Sequence, residues 1–523
     1  MKPISLSILA ILLGASSVAQ PLPRLVEKDG RHALFVDGAP YLILGAQVHN
    51  SSAWPAMLPK VWPAIRDIGA NTVEAPVYWE QFEPEPGRFD TSAVDMLLQQ
   101  ARENHVRLVL LWFGTYKNGS DHYMPLWLKQ SPGRHVHITG AKGKLVDSPS
   151  PYSKENLESD KRAFAAFMRH LKSADPQHTA IMVQVENEPG SWGSVRDFSP
   201  EAQKLFEGPV PPALLKSLRK QPPSSAANWR EVFGGDADEF FHAWSVGTYV
   251  GQVAAAGRAE YSLPLYTNAA LRDPLTPGPA GSYESGGPTD NVMEIWKAAA
   301  PALDLLAPDI YMSDSPRYLK ILELYGRFGN ALFVPETGSG PMYGRYFFSA
   351  LGHGAIGFAP FGIDYTSSRT TPESLAPFAM NYKLVGPMMR ELAKLNFEGK
   401  LQAVAEEKDR PTQSLEFGPW TATVSYGVPV FGANRNPRGN AEPTGRVLIA
   451  QLEPDQFLVA GYFCRVDFQP TGSDRPREYL RVEEGGYENG AFKRFRIWNG
   501  DQTDWGLNFS SIPQVLRVTV GTL

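Results

Sequence analysis

Up to about residue 395 the chain repeats one pattern, a short apolar run followed by a longer amphipathic stretch. Short apolar runs bounded by turn residues read as buried strands, and apolar residues recurring every three or four positions read as helices. The runs are Tyr41–Val48, Thr72–Val77, Arg107–Phe113, Ala180–Val185, Pro264–Asn268, Leu305–Tyr311, Ala331–Val334 and Ala355–Phe361. Helices are predicted over Pro59–Ile68, stopped by Gly69, and over Thr91–Asn104, capped by Asp90 or Thr91. Others are predicted over Ser153–Ala174, Asp238–Ala255, Val292–Ala300, Pro316–Tyr325 and Tyr343–Leu351. Eight strands, each followed by helical or connecting sequence, predict an α/β fold, a (β/α)8 barrel. An open doubly wound sheet is the competing arrangement, but no Gly-x-Gly-x-x-Gly turn follows the first strand. A barrel gathers its chemistry at the C-terminal ends of its strands, so functional residues are sought there.

Beyond Phe397 the rhythm changes to short β-prone segments: Thr421–Val428, Gly445–Leu452, Gln456–Phe463, Arg477–Val482, Phe492–Ile497 and Val515–Val520. These predict a C-terminal all-β, sandwich-like domain over residues 397–523, packed closely on a barrel of residues 20–396. Residues 1–19 read as a signal peptide: Lys2, the apolar run Leu6–Leu13, then Ser17-Val18-Ala19. No other apolar run approaches the roughly 20 residues that span a bilayer. The expectation is export to the periplasm or beyond, and a chain with the single cysteine Cys464 suits a periplasm better than a disulfide-stapled secreted scaffold.

Lys and Arg number 50 against 55 Asp and Glu, a formal net charge of -5, which lacks the electropositive footprint of a nucleic-acid binder. One cysteine allows neither an internal disulfide nor a cysteine metal site. His135 and His137 are the only close histidine pair, and without HExxH-type spacing they read as part of a solvated loop.

Two carboxylates fall where a barrel puts its chemistry. The fourth strand ends in Gln184-Val185-Glu186-Asn187-Glu188-Pro189, and the seventh in Phe333-Val334-Pro335-Glu336. Closure of the barrel brings these ends to opposite walls of one pocket. Glycosidic cleavage needs such a pair, one protonated to serve the departing oxygen and one ionised opposite it. Glu186 and Glu188 would face the same way on a regular strand, so register alone does not choose between them.

Asn187-Glu188-Pro189 is similar to the Asn-Glu-Pro signature of the retaining (β/α)8 glycosidase clan. Within it the chain resembles glycoside hydrolase family 35, the β-galactosidases, with some likeness to family 42. The likeness rests on Gly69-Ala70-Asn71-Thr72-Val73, Val77 with Trp79, Glu83-Pro84, Gly87-Arg88-Phe89-Asp90 and Gln184 to Glu188. It implies an exo-β-galactosidase acting by double displacement, with Glu188 as acid/base, Glu336 as nucleophile and Asn187 on the sugar 2-hydroxyl. The implied partner is a carbohydrate, with no metal or organic cofactor, since two carboxylates and water suffice. The nearest alternative is another β-glycosidase of the clan, a β-glucosidase or endo-β-glucanase; a non-catalytic glycan-binding barrel is a more distant one. Two departures from the family are visible: Pro76 stands where a Tyr is usual, and the loop Trp112–Asp121 lacks the Ala-Glu pair that holds galactose hydroxyls. Candidate sugar contacts are therefore Tyr78, Trp112 and Asn118, with Tyr311 placed to hydrogen-bond the nucleophile. Trp54, Trp79, Trp192 and Trp296 add aromatic surface near the strand ends, and the long segment Ser191–Ala237 is expected to shape the leaving-group side.

Overall fold

The computed structural model of the chain describes residues 20–523, other than 132, 134, 328, 429–435 and 473–474. The expected signal peptide, 1–19, lies outside the described residues. Eight parallel strands close into a barrel: β1 (Ile43–Gln47), β2 (Thr72–Tyr78), β3 (Arg107–Lys117), β4 (Ala180–Asn187), β5 (Leu265–Ala270), β6 (Leu305–Ile310), β7 (Val334–Thr337) and β8 (Gly357–Pro360). The helices that follow them in turn are α1 (Leu58–Ile68), α2 (Ser92–Glu103), α3 (Lys154–Ala174), α4 (Ala237–Glu260), α5 (Met293–Ala299), α6 (Ser315–Tyr325), α7 (Tyr346–Gly352) and α8 (Pro372–Val385). Every residue of β2, β4, β6 and β7 is buried, as parallel strands covered on both faces require.

Local chemistry sets the element ends. Gly69 closes α1 in the left-handed conformation at φ 75°, and the Ser153 hydroxyl caps α3 by accepting from the Asn156 amide. At α2 the cap is Asp90, whose carboxylate accepts from Ser92 N at 3.0 Å, while the Thr91 side chain makes no cap bond. Strand β7 begins at Val334, three residues later than the apolar run suggests, and its pairing register shifts between Val334 and Thr337, around Pro335, which has no N–H to donate. Glu336 thus lies within the strand, paired with Asp309 of β6. The long segment Ser191–Ala237 carries helices at Pro200–Glu207, Pro212–Ser217 and Trp229–Phe233.

The C-terminal domain is a sandwich of a six-stranded and a four-stranded antiparallel sheet. The period-2 alternation of its strands is used on both sides of the larger sheet. Val447, Ile449, Phe457 and Val459 point into the sandwich core. Their neighbours Leu448, Ala450, Leu458 and Ala460 join the core of the barrel instead. Tyr462 OH donates to Asn381 Oδ1 of α8 at 2.6 Å across this junction. Four strands that the sequence reading passed over complete the sandwich: Leu401–Ala405, Thr412–Phe417, Cys464–Pro470 and Leu507–Phe509. A three-stranded antiparallel sheet (residues 24–41) precedes the barrel, held by Arg390, which donates to Val36 O at 2.8 Å. Among the described residues no helix is long and apolar enough to cross a membrane.

Candidate active site

The end of β4 is irregular in a way that separates its two glutamates. Glu186 and Glu188 have φ of 61° and 44°, a left-handed conformation that costs energy away from glycine. The two side chains consequently part company. Glu186 Oε2 accepts from Tyr116 N at 2.6 Å, and its carboxyl is buried beside Asp160. Burial and then the Asp160 charge push Glu186 well above the usual carboxyl range. Glu188 turns into the mouth of the barrel, its amide donating to Asn268 Oδ1 of β5 at 2.8 Å.

There it meets two further carboxyls. Single oxygens of Glu188, Asp309 and Glu336 all lie within 4.8 Å of one another. Glu336 is buried, with a hydrogen bond on each oxygen: Gln47 Nε2 donates to Oε2 at 2.9 Å and the Tyr311 phenol donates to Oε1. Burial, and after it the Glu336 charge, push Glu188 up to about 7, with Lys117 and Asp309 acting in the opposite sense. Glu188 is therefore a carboxyl that can hold a proton near neutrality, next to one with donors on both oxygens. The environments differ as an acid and a nucleophile require.

Asn187 and Asn118 are tied to the same pocket by Lys117. The buried Lys117 ammonium donates to Asn187 Oδ1 at 2.8 Å and also to Asn118 Oδ1. That leaves Asn187 Nδ2 buried with no hydrogen-bond partner among the described residues, a donor available to a ligand. Beyond Glu188, the Glu284 carboxyl is buried with neither oxygen hydrogen-bonded by a described residue. Burial and then the Glu188 charge push it well above its usual range.

Residues 33–229 match the family model described as glycosyl hydrolases family 35. The matched segment contains Lys117, Asn118, Asn187 and Glu188, and ends before Asp309, Tyr311 and Glu336. Residues 378–510 match a domain of unknown function, DUF5597, which takes in most of the sandwich. The chain is 25% identical over 190 residues to beta-galactosidase 7 of Oryza sativa subsp. japonica, covering 35% of this chain and 23% of that one. It is 27% identical over 172 residues to beta-galactosidase 14 of Arabidopsis thaliana, covering 31% and 18%. The chain thus spans about a fifth of the length of these curated relatives. Among solved structures, a beta-galactosidase from Rahnella sp. R3 superposes with a TM-score of 0.49 at 15% identity, over 68% of this chain and 58% of that one.

Other residues expected near the sugar from their place at the strand ends are held by different contacts. Trp112 points out of the barrel: it stacks on Phe167 of α3 at 5.6 Å, and its Nε1 donates to Asp160. Tyr78 is buried between Trp54 and Tyr123, and its hydroxyl accepts from Ala53 N at 3.0 Å. Alternation along β3 directs Trp112 away from the pocket, whereas Tyr78, one register position further on the opposite face, is covered by Trp54 and Tyr123. Of the other tryptophans, Trp79 and Trp296 are buried, whereas Trp54 and Trp192 are exposed. His135 is not solvated: its side chain is 4% exposed and its Nε2 lies 2.7 Å from Asp121 Oδ2, with His137 at 3.7 Å. Gln47, Lys117, Asn268, Glu284 and Asp309 escaped the sequence reading. The three that sit at strand ends, Gln47, Lys117 and Asp309, could have been found by taking the last residues of all eight strands together.

Proposed function

We propose that the chain is an exported, retaining exo-β-galactosidase that releases terminal β-galactosyl residues from oligo- or polysaccharides. The observation that carries this reading is the approach of Glu188 and Glu336 oxygens to within 4.8 Å. Retaining enzymes hold their carboxyls about 5–5.5 Å apart, whereas inverting ones need about 6.5–9.5 Å to admit a water. In the first step Glu336 attacks the anomeric carbon while Glu188 gives its proton to the departing oxygen. The resulting galactosyl ester is hydrolysed when Glu188, now a base, takes a proton from water, so the sugar leaves with its configuration kept. Asn187 Nδ2 supplies a donor for the 2-hydroxyl, and Tyr311 and Gln47 hold the nucleophile. Galactose as the sugar is supported by the family-35 match and the relatives' names, and export by the leader-like residues 1–19.

The test is a panel of nitrophenyl β-glycosides combined with NMR observation of the first anomer released. The expected result is preference for the galactoside and initial appearance of β-galactose. Initial α-galactose would overturn the double displacement, and preference for glucoside would overturn the sugar assignment.

A further inference from the structure

Catalysis by two carboxyls leaves a third unexplained. Asp309, near the end of β6, is buried and has an oxygen within 4.8 Å of oxygens of both Glu188 and Glu336. Three carboxylates this close and this dry cannot all be charged, because each ionisation raises the cost of the next. One device fixes which way Asp309 faces. The Asn268 amide of β5 accepts from Glu188 N at 2.8 Å through Oδ1, and through Nδ2 donates to Asp309 Oδ2 at 2.5 Å. Oδ2 is therefore committed as an acceptor. Oδ1 is buried and receives no hydrogen bond from a described residue. A bare carboxylate oxygen in such a place is costly, whereas a protonated oxygen beside a carboxylate makes a short, charge-assisted bond.

We propose that Asp309 is a positioning residue that carries its proton on Oδ1 and donates it in a hydrogen bond to Glu188, with Asn268 as the clamp that orients both. This rests on the glycosidase reading above, and adds to it a residue that touches the acid/base rather than the sugar. Glu188 must ionise in the first step and be remade as an acid in the second. A neutral donor beside it eases that ionisation without adding a charge next to Glu336. The proton affinities agree in direction: burial, followed by the Glu336 and Glu188 charges, pushes Asp309 well above the carboxylate range, and its hydrogen bond pulls Glu188 the other way. The charged and titratable groups facing Glu188 are Glu336 on β7, Asp309 on β6, Lys117 on β3, Glu284 on the loop after β5 and the Tyr311 phenol after β6. Asp309 is faced by Glu188, Glu336 and Lys117, and by the phenols Tyr266, Tyr311 and Tyr325.

The experiment measures kcat/KM against pH for a β-galactosyl disaccharide with the full chain, its Asp309→Asn variant and its Asp309→Leu variant, each checked for an unshifted thermal melt. An amide can accept from Asn268 and still donate to Glu188, so Asp309→Asn is expected to keep the basic limb of the profile in place. Leucine cannot donate. Loss of a hydrogen bond to the charged form raises that form's pKa, so the basic limb of Asp309→Leu should move upward by about one pH unit, with kcat lowered about tenfold. If Asn and Leu behave alike, the donor is irrelevant and the proposal is overturned. If Asp309→Asn lowers the limb, a like charge has been removed, Asp309 was ionised, and the proposal is again overturned. Absence of galactosidase activity in the unmodified chain would instead sink the functional reading itself. Should Asp309→Leu not fold, the limb of Asp309→Asn alone still decides the protonation state.

Discussion

The Glu188 proton should be visible as a limb in the pH profile that depends on the leaving group. Its carboxyl is pushed up to about 7, so between pH 6 and 8 the protonated fraction falls from about nine tenths to about one tenth. For a disaccharide, whose alkoxide cannot leave unprotonated, kcat/KM should fall about tenfold over that range, a drop set by this one group. Glu188→Gln removes the proton: disaccharide turnover should drop by about 10² to 10⁴, and the basic limb should vanish. An activated aryl galactoside needs little protonation, so its first step should largely survive while the second slows and the galactosyl ester accumulates. Added azide should then restore turnover, because a small anion entering the space of the lost carboxylate captures the ester as β-galactosyl azide. The assay is initial rates on both substrates across pH, with product identification by NMR. A Glu188→Gln enzyme that kept the same basic limb, or hydrolysed the disaccharide within a few-fold of the parent, would refute the assignment of the acid.

Three further outcomes follow from the same geometry. Lys117→Met removes the cation that opposes the rise in Glu188 proton affinity and frees Asn187 Oδ1, so the basic limb should move up in pH while KM rises; a limb that stays in place would count against the role of Lys117. Stability should also carry the mark of Glu188, whose ordinary value of 4.5 is raised to about 7 by folding. The group's contribution is complete below 4.5 and is lost as pH rises through 7, so urea titrations should show the parent losing stability relative to Glu188→Gln across that window, and the opposite slope would contradict it. Leu448→Ala empties a fully buried position between the sandwich and the barrel and should cost about 2–5 kcal/mol in denaturant unfolding, against less than about 1 kcal/mol if the two domains did not share a core.

Much of the barrel was legible because its strands are continuous apolar runs and helices such as α1 and α2 keep a clear 3.6-residue period, whereas α8 has none and was passed over. The same signals located Glu188 and Glu336, which stand at strand ends next to Pro189 and Pro335. What escaped was whatever depends on side-chain direction. Trp112 and Tyr78 looked like sugar contacts because they lie near strand ends, but Trp112 falls on the outer face of β3, where a shift of one residue sends a strand side chain, and Tyr78 is covered by Trp54 and Tyr123. Periodicity could not separate Glu186 from Glu188; the family resemblance favoured Glu188, and the structure parts the two through the left-handed residues at the end of β4. Asn268 was invisible for a different reason: it stands inside β5 rather than at its end, and only the closed barrel brings it to Glu188 and Asp309. Pro335 misled in the reverse direction, reading as the end of β7 when the strand runs through it to Thr337. The missed sandwich strands are short or mix polar and apolar residues, because each of these covers the core with one face only.

A covalent galactosyl–enzyme ester on Glu336 is the claim on which the rest depends. Treatment of the protein with a 2-deoxy-2-fluoro-β-galactoside bearing a good leaving group, followed by proteolysis and mass spectrometry, tests it most directly, because the fluorine slows both steps while the good leaving group speeds only formation of the ester, which accumulates. The label is expected on the peptide containing Glu336, with loss of activity in step with labelling. A label on another carboxylate, or inactivation-free hydrolysis with no labelled peptide, would contradict the assignment.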